Sequence, residues 1–164
     1  MNLQFRALTQ FDEPIIWEML MHAAHETTLD VVQNRPKLAR YAESWGRAGD
    51  IGVVAFSDNT AIGAAWLRLW KGDNKGFAYI DDATPELAIA VVPEHRGQGI
   101  GTHLLNEILN VAASSYPAVS LNVREENPAV LLYQRAGFAK VPGSDMTNRS
   151  GGISFNMLRV FDRK

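Results

Sequence analysis

The spacing of apolar and polar side chains predicts alternating strands and helices along the chain. Residues 3–8 alternate between the two kinds of side chain, as a half-buried strand does. Residues 104–112 place their apolar side chains three or four positions apart, which is typical of a helix with one buried face. These periods, with proline and glycine marking the ends, predict strands at residues 3–8, 51–57, 61–70, 86–92, 118–124, 138–141 and 153–161, and helices at 14–25, 36–45, 99–115 and 128–136.

The predicted order is therefore β-α-α-β-β-β-α-β-α-β-β, a mixed α/β (α+β) layout in which strands outnumber helices. A length of 164 residues suits one domain. No internal repeat, low-complexity stretch or linker-like segment interrupts the pattern. We therefore expect a single domain over residues 1–164.

Composition excludes several classes of function. The chain has no cysteine, which rules out disulfides, thiolate metal sites and a cysteine nucleophile. The formal net charge of −2 and the scattered basic residues argue against a nucleic-acid partner. No apolar stretch approaches the length of a membrane span, and the N-terminal residues lack a signal-peptide pattern. We expect a cytoplasmic protein with no membrane partner, and the sequence leaves a homodimer open.

Three alternating glycines stand between the strand predicted at 86–92 and the helix that follows, in the sequence Arg96-Gly97-Gln98-Gly99-Ile100-Gly101. Glycine lets the backbone adopt positive φ and come close to a ligand. The free N–H groups and the dipole of a helix N-terminus favour a bound anion. Arg96 adds fixed positive charge beside them. This combination predicts a binding site for a diphosphate.

Three other interpretations of the glycines compete with this one. A Walker A loop needs a lysine before its Ser or Thr, and Ile100-Gly101-Thr102 has none. A Rossmann fingerprint has different glycine spacing and lies near the first strand of the chain, whereas this loop lies past mid-chain. The glycines could also form only a tight turn and a helix cap, although three of them beside an arginine favour a ligand.

Two segments resemble the GNAT family of acetyl-CoA-dependent N-acetyltransferases. Residues 96–101 match the coenzyme A motif of that family, Gln/Arg-x-x-Gly-x-Gly/Ala, and Asn127-Pro128-Ala129-Val130-Leu131-Leu132-Tyr133-Gln134-Arg135-Ala136-Gly137-Phe138 matches the asparagine, helical tyrosine and Gly-Phe that complete its coenzyme site. The order of strands and helices also agrees along nearly the whole chain. The resemblance implies a GNAT fold, with a central, mostly antiparallel sheet of about six or seven strands flanked by about four helices.

The resemblance also assigns residues to acetyl-CoA, the implied cosubstrate. The family separates two neighbouring strands, here residues 86–92 and 118–124, and the pantetheine arm enters between them like an added strand. The residues implied in binding are Ile89, Val91 and Val92 for the pantetheine arm, Arg96, Gly97, Gln98, Gly99, Gly101 and Thr102 for the pyrophosphate, and Asn127 for the pantetheine or the adjoining linker.

Direct transfer of an acetyl group to an amine in a ternary complex needs a polarised thioester, a free amine and a proton for the leaving thiolate. A backbone N–H near residues 89–91 would polarise the carbonyl. Tyr133 is the candidate general acid, with packing of its helix as the alternative role. Glu86 is the candidate general base, directly or through water, with a merely solvated strand end as the alternative. Weaker candidates for the base are Asp81, Asp82 and Glu26.

The sequence does not identify the acceptor, which is a small-molecule amine or a protein amine. The negative charges of Asp81 and Asp82 slightly favour a cationic acceptor. His22 and His25 are one helical turn apart, but no His-Glu-x-x-His pattern accompanies them, so we expect no metal site. Two functions from other classes stay open at this point, a non-catalytic acyl-CoA-binding module and an ATP-binding protein.

Overall fold

The computed structural model describes residues 2–162, which divide into two compact units. Unit 1 runs to Arg68 and includes Ala88–Ile108, and unit 2 comprises Leu69–Leu87 and the residues from Leu109 onward. The boundaries pass through one strand and one helix. The single domain over 1–164 stays a prediction, and its first position and last two positions lie outside the described residues.

Unit 1 is built on an antiparallel arrangement of strands in the order β1-β2-β3, with β4 next to β3. Asp58 and Asn59 join β2 to β3 with φ of 49° and 71°, the left-handed conformation that two-residue hairpin turns require and that these residue types tolerate. Its elements are β1 (Leu3–Ala7), α1 (Glu13–Ala23), α2 (Leu29–Gln33), α3 (Pro36–Ala39), β2 (Ile51–Ser57), β3 (Thr60–Arg68), most of β4 (Glu86–Val91) and the first part of α4 (Ile100–Ala113).

A buried ion pair explains why α3 ends at Ala39 rather than at the predicted position 45. The guanidinium of Arg68 meets the carboxylate of Asp50 through two hydrogen bonds of 3.1 Å, and both side chains are almost fully buried. The same guanidinium donates to the backbone oxygens of Arg40 and Ser44. Because Arg68 binds these carbonyl groups, residues 40–50 fold around it instead of continuing the helix.

Unit 2 is built around a long antiparallel pair, β5 (Ala118–Arg124) and β8 (Ile153–Val160). The start of β4 lies parallel to β5, with Glu86 opposite Ser120. The strand order is β4-β5-β8-β6, and β7 also pairs with β8. The remaining elements of this unit are the end of α4, α5 (Ala129–Arg135), β6 (Ala139–Lys140) and β7 (Met146–Thr147).

The predicted mixed α/β class with mostly antiparallel strands is confirmed. The described residues contain eight strands and five α-helices, slightly more than the predicted six or seven strands and about four helices. The additional elements are α2 and β7, which have only five and two residues. Such short segments carry too few positions to show a period. Within residues 2–162, no helix is both long and apolar enough to span a membrane.

The turn between β1 and α1 is held by the carboxylate of Asp12. Two guanidinium nitrogens of Arg6 donate to it at 2.7 and 3.0 Å, and the N–H of Thr9 donates at 2.7 Å. The hydrogen bond from Arg6, followed by the one from the Thr9 backbone, lowers the pKa of Asp12 against the opposing effect of burial. Asp12 is therefore a stabilising charge whose protonation weakens the turn.

We predict that Asp12→Asn lowers the free energy of unfolding at neutral pH by about 1–3 kcal/mol, nearer the low end because Arg6 is half exposed. The pKa of Asp12 is lower in the folded protein than its ordinary value of 3.8. Its contribution is therefore full above that value and is lost as the pH falls below it. Denaturant unfolding across a pH series should show the two proteins converging in acid, and a constant difference would contradict the assignment.

Candidate active site

The end of β4 and the loop after it form one continuous element of unit 1. The N–H of Val92 donates to the backbone oxygen of Ile62 on β3 at 2.8 Å. Pro93, next in the chain, has no N–H to extend this ladder, and Pro93–His95 make a short 3₁₀ turn. The strand therefore stops at a defined point, and the glycine-containing loop begins there.

Two of the three glycines in the loop have the left-handed backbone that favours glycine. Gly97 has φ of 77° and Gly99 has φ of 82°. A Cβ atom added at either position would meet no other atom within 4 Å. The protein's own packing therefore does not require these glycines, whereas their backbone conformation and the open space in front of them suit the close approach of a ligand. Gly101 lies instead in the first turn of α4.

Helix α4 begins directly after Gly99 with free backbone donors. The N–H of His103 is bonded to the oxygen of Gly99 at 3.1 Å, which closes the first helical turn. The N–H groups of Ile100, Gly101 and Thr102 precede that bond and have no intrahelical acceptor. The first turn contains no acidic residue that would weaken its positive potential. This helix end fits a phosphate group.

Arg96 and His95 complete the loop. The exposed side chain of Arg96 folds back on the strand, where its Nε donates to the oxygen of Val91 at 3.0 Å. His95 Nδ1 is buried and has no hydrogen-bond partner among the described residues. The sequence analysis predicted the charge of Arg96 but not its bond to the strand end. That bond joins the glycine loop to the β4 residues predicted for the pantetheine arm.

Ile89, Val91 and Val92 lie on the last part of β4 and immediately after it. Ile89 and Val91 are half-buried, and Val92 is buried. Together with the glycine loop and the start of α4, they form one continuous strand–loop–helix segment. Such a segment can bind an extended arm through the strand and an anion through the helix N-terminus.

Glu86 lies in unit 2 and is buried. It is therefore not the solvated strand end that was the alternative to a general base. Its side chain is 3% exposed. Oε1 accepts hydrogen bonds from the indole N–H of Trp70 and from the backbone N–H of Ala78, each at 3.0 Å. A Cβ atom added at Gly76 would lie 2.4 Å from the same oxygen. The carboxylate is therefore enclosed and oriented by the segment that precedes β4.

Tyr133 lies on α5 and Asn127 lies just before it, both in unit 2. The ring of Tyr133 is buried and meets the ring of Phe138 edge-on, with 5.9 Å between centroids. Burial raises the pKa of its hydroxyl. Asn127 Oδ1 accepts the N–H of Ala129 at 2.9 Å and thereby caps the helix start. Tyr133 therefore packs its helix, and Asn127 holds the start of that helix.

Sequence analysis missed the residues that surround Glu86. The sequence pattern singles out neither Ala78 nor Ser120, and it does not connect Trp70 with Glu86. The only signal for Ser120 was its position among apolar side chains in a strand, where a buried hydroxyl needs a partner. Of the weaker base candidates, Asp82 accepts the hydroxyl of Tyr79 at 2.6 Å and Asp81 accepts the N–H of Ala83 at 2.9 Å, both at exposed positions.

The mixed strands and helices define an α/β protein. Its strand–glycine loop–helix segment fits a ligand that carries a phosphate. Residues 17–138 match the profile of the acetyltransferase (GNAT) family, which is well over half of the chain. The chain therefore belongs to the GNAT acetyltransferase family, and the resemblance found in the sequence is confirmed.

Individual relatives agree with this assignment. The chain is 34% identical over 93 residues to an N-alpha-acetyltransferase of Saccharolobus solfataricus, covering 54% of this chain and 56% of that protein. The alignment spans about half the length of the curated N-alpha-acetyltransferases that it matches.

Two solved structures share the fold over nearly the whole chain. The yncA protein of Salmonella typhimurium, assigned as an acetyltransferase and solved with its cofactor acetyl-CoA, has a TM-score of 0.74 at 21% identity, covering 100% of this chain and 96% of that one. The ribosomal-protein-S18-alanine N-acetyltransferase of Escherichia coli has a TM-score of 0.71 at 16% identity, covering 99% and 96%.

We predict that Gly99→Val raises the Kd of coenzyme A, the ligand that the resemblance implies, by about tenfold or more. The branched side chain would fill the open space at the loop and strain a backbone with φ of 82°. Gly143→Val is the matched control, because Gly143 also has positive φ, at 76°, and equally open surroundings. Calorimetric titration should show weak binding by the Gly99 variant alone, and equal affinities would contradict the binding role.

Proposed function

We propose that this chain transfers the acetyl group of acetyl-CoA to a primary amine, directly and within a ternary complex. The observation that carries the proposal is the glycine loop, which opens at Gly97 and Gly99 onto the free N-terminus of α4. Membership of the GNAT family supports the same donor. The acetyl-CoA bound to the yncA protein, which shares the fold, is a further support.

The residues available in the structure fit this donor. The backbone N–H groups of residues 97–102 would hold the pyrophosphate, since the N–H of Arg96 already donates to the oxygen of Pro93 at 3.3 Å. The end of β4 at Ile89, Val91 and Val92 would hold the pantetheine arm. The side-chain amide of Asn127 would make a further polar contact while its oxygen caps α5. Acetyl-CoA supplies a thioester carbonyl carbon that an amine nitrogen can attack.

The transfer itself requires one bond to form and one to break. The amine nitrogen bonds to the carbonyl carbon, the carbon–sulfur bond breaks, and the nitrogen loses a proton while the thiolate gains one. We assign the proton for the thiolate to Tyr133. Burial raises the pKa of its hydroxyl, so the group carries its proton at neutral pH and has one to donate.

Glu86 is our proposed base for the amine proton. Its burial and its two N–H donors on Oε1 support the role, since they hold the carboxylate in one orientation. General bases contribute typically 10²- to 10⁴-fold to a rate when positioned in this way. The proton passes to the carboxylate directly or through a water molecule.

The acceptor is a primary amine of a small molecule or of a protein. The names of the relatives, an N-alpha-acetyltransferase and an alanine N-acetyltransferase, support an amine nitrogen as the nucleophile without choosing between these classes. A cytoplasmic location and a homodimer stay predictions.

A turnover screen with acetyl-CoA and a broad panel of amines tests the proposed function. We expect release of free coenzyme A that depends on one class of amine and on the intact glycine loop. Binding of coenzyme A without turnover of any amine would overturn the catalytic proposal in favour of an acyl-CoA-binding module. Binding of ATP in preference to coenzyme A, measured by parallel titrations, would overturn the donor.

We predict that Tyr133→Phe lowers kcat by about 10²-fold or more and leaves the Kd of coenzyme A within about twofold. Phenylalanine keeps the ring that packs on Phe138 and removes only the proton donor. Tyr116→Phe is the control, because it removes the hydroxyl of a half-buried tyrosine elsewhere in unit 2. Steady-state kinetics with an accepted amine measures the effect, and a wild-type kcat would exclude the acid role.

We predict that Glu86→Gln lowers kcat by about 10²-fold and removes the acidic limb of the pH–rate profile, because the amide cannot accept a proton at working pH. The glutamine oxygen can still accept from Trp70 and Ala78, so the fold should be retained. Profiles of kcat/KM from acid to neutral pH test this. An unchanged acidic limb would show that another group removes the amine proton.

A further inference from the structure

Ala78 is the point at which the irregular segment 69–85 is fixed to the strands of unit 2. The residue is fully buried. Its N–H donates to Oε1 of Glu86 at 3.0 Å, and its carbonyl oxygen accepts the hydroxyl of Ser120 at 2.6 Å. Side chains from two strands therefore satisfy both backbone polar groups of one loop residue, which strand pairing would otherwise have to do.

The two side chains that hold Ala78 occupy paired positions. Glu86 on β4 lies opposite Ser120 on β5 in the parallel register. The N–H of Ser120 also donates to the oxygen of Pro85 at 3.0 Å, at the junction of the segment with β4. The carboxylate and the hydroxyl therefore hold Ala78 together. We call Glu86, Ser120, Ala78 and Trp70, whose contact is described next, the clamp.

Trp70 contributes a second donor from the same segment. Its side chain is fully buried, and its indole N–H reaches the Oε1 atom that Ala78 also contacts, at 3.0 Å. A Cβ atom at Gly76 would come within 2.6 Å of this indole ring, so only glycine allows the segment to close over it. Two donors on one oxygen, from a rigid indole and a fixed backbone, restrict rotation of the carboxylate.

We propose that Trp70 and Ser120 are positioning residues for Glu86, because together they hold segment 69–85 and the carboxylate in one arrangement. This inference rests on the proposed role of Glu86 as the base. Ser120 acts by fixing Ala78, and Trp70 acts by its own hydrogen bond. The segment is thereby a part of the catalytic apparatus rather than a surface connection.

Two variants weaken the clamp without changing Glu86. Ser120→Ala removes the hydroxyl that holds the Ala78 carbonyl, and Trp70→Phe removes the indole donor. Trp66→Phe is the matched control, because that tryptophan is equally buried and donates its indole N–H to Tyr41 in unit 1 at 2.9 Å. Should Trp70→Phe fail to fold, Ser120→Ala carries the test.

Hydrogen exchange of the Ala78 amide and steady-state kinetics are the two readouts. We expect both clamp variants to exchange this amide roughly fivefold or more faster, the effect of about one hydrogen bond. We expect kcat to fall about tenfold with the KM for acetyl-CoA unchanged, while Trp66→Phe alters neither. Unchanged exchange, or faster exchange with wild-type kcat, would overturn the positioning role.

Glu86→Gln separates this inference from the proposed function. The glutamine oxygen keeps an acceptor for Trp70 and Ala78, so the Ala78 amide should stay protected while activity is lost. A fully active Glu86→Gln protein would overturn the base assignment, and with it the positioning role, whatever the exchange rate shows. If Glu86→Gln loses activity and the clamp variants have no effect, the assignment of Glu86 as the base stands and only the positioning role is overturned.

Discussion

Buried polar side chains determine how residues 40–50 and residues 69–85 fold. A charged group away from water needs hydrogen bonds, and neighbouring loops supply them when strands and helices do not. In unit 1 the Arg68–Asp50 pair binds the carbonyl groups of residues 40 and 44, which would otherwise extend α3. In unit 2 the carboxylate of Glu86 gathers Trp70 and Ala78 from segment 69–85. Each segment is therefore ordered by one side chain that lies on a strand.

The strand–glycine loop–helix segment at residues 86–113 follows a different principle, because it depends on backbone groups rather than on side chains. Proline ends the strand ladder after Val92, two glycines take left-handed conformations, and α4 begins with free N–H groups. These features are adjacent in the chain and need few distant contacts.

The chemistry proposed for unit 2 depends on burial. Tyr133 keeps its proton because a buried phenolate is costly, and Glu86 is oriented because its enclosure leaves a narrow choice of rotamers. The residues that create these environments are apolar or small, such as Phe138, Gly76 and Ala78. In the proposed reaction these residues act by excluding water and by placing backbone groups, such as the N–H of Ala78, against the carboxylate.

Local sequence determined the strands, the longer helices, the β2–β3 turn and the glycine loop, because each depends on periodicity or on the conformational preference of neighbouring residues. It also singled out Tyr133 and Glu86, through a motif and a strand position. Tertiary structure alone decided that α3 stops at Ala39 and that Glu86 is enclosed by Trp70, Ala78 and, through Ala78, Ser120. These outcomes depend on hydrogen bonds between residues far apart in the sequence, such as Ala78 and Ser120, and no local pattern records which distant partner a buried polar group will find.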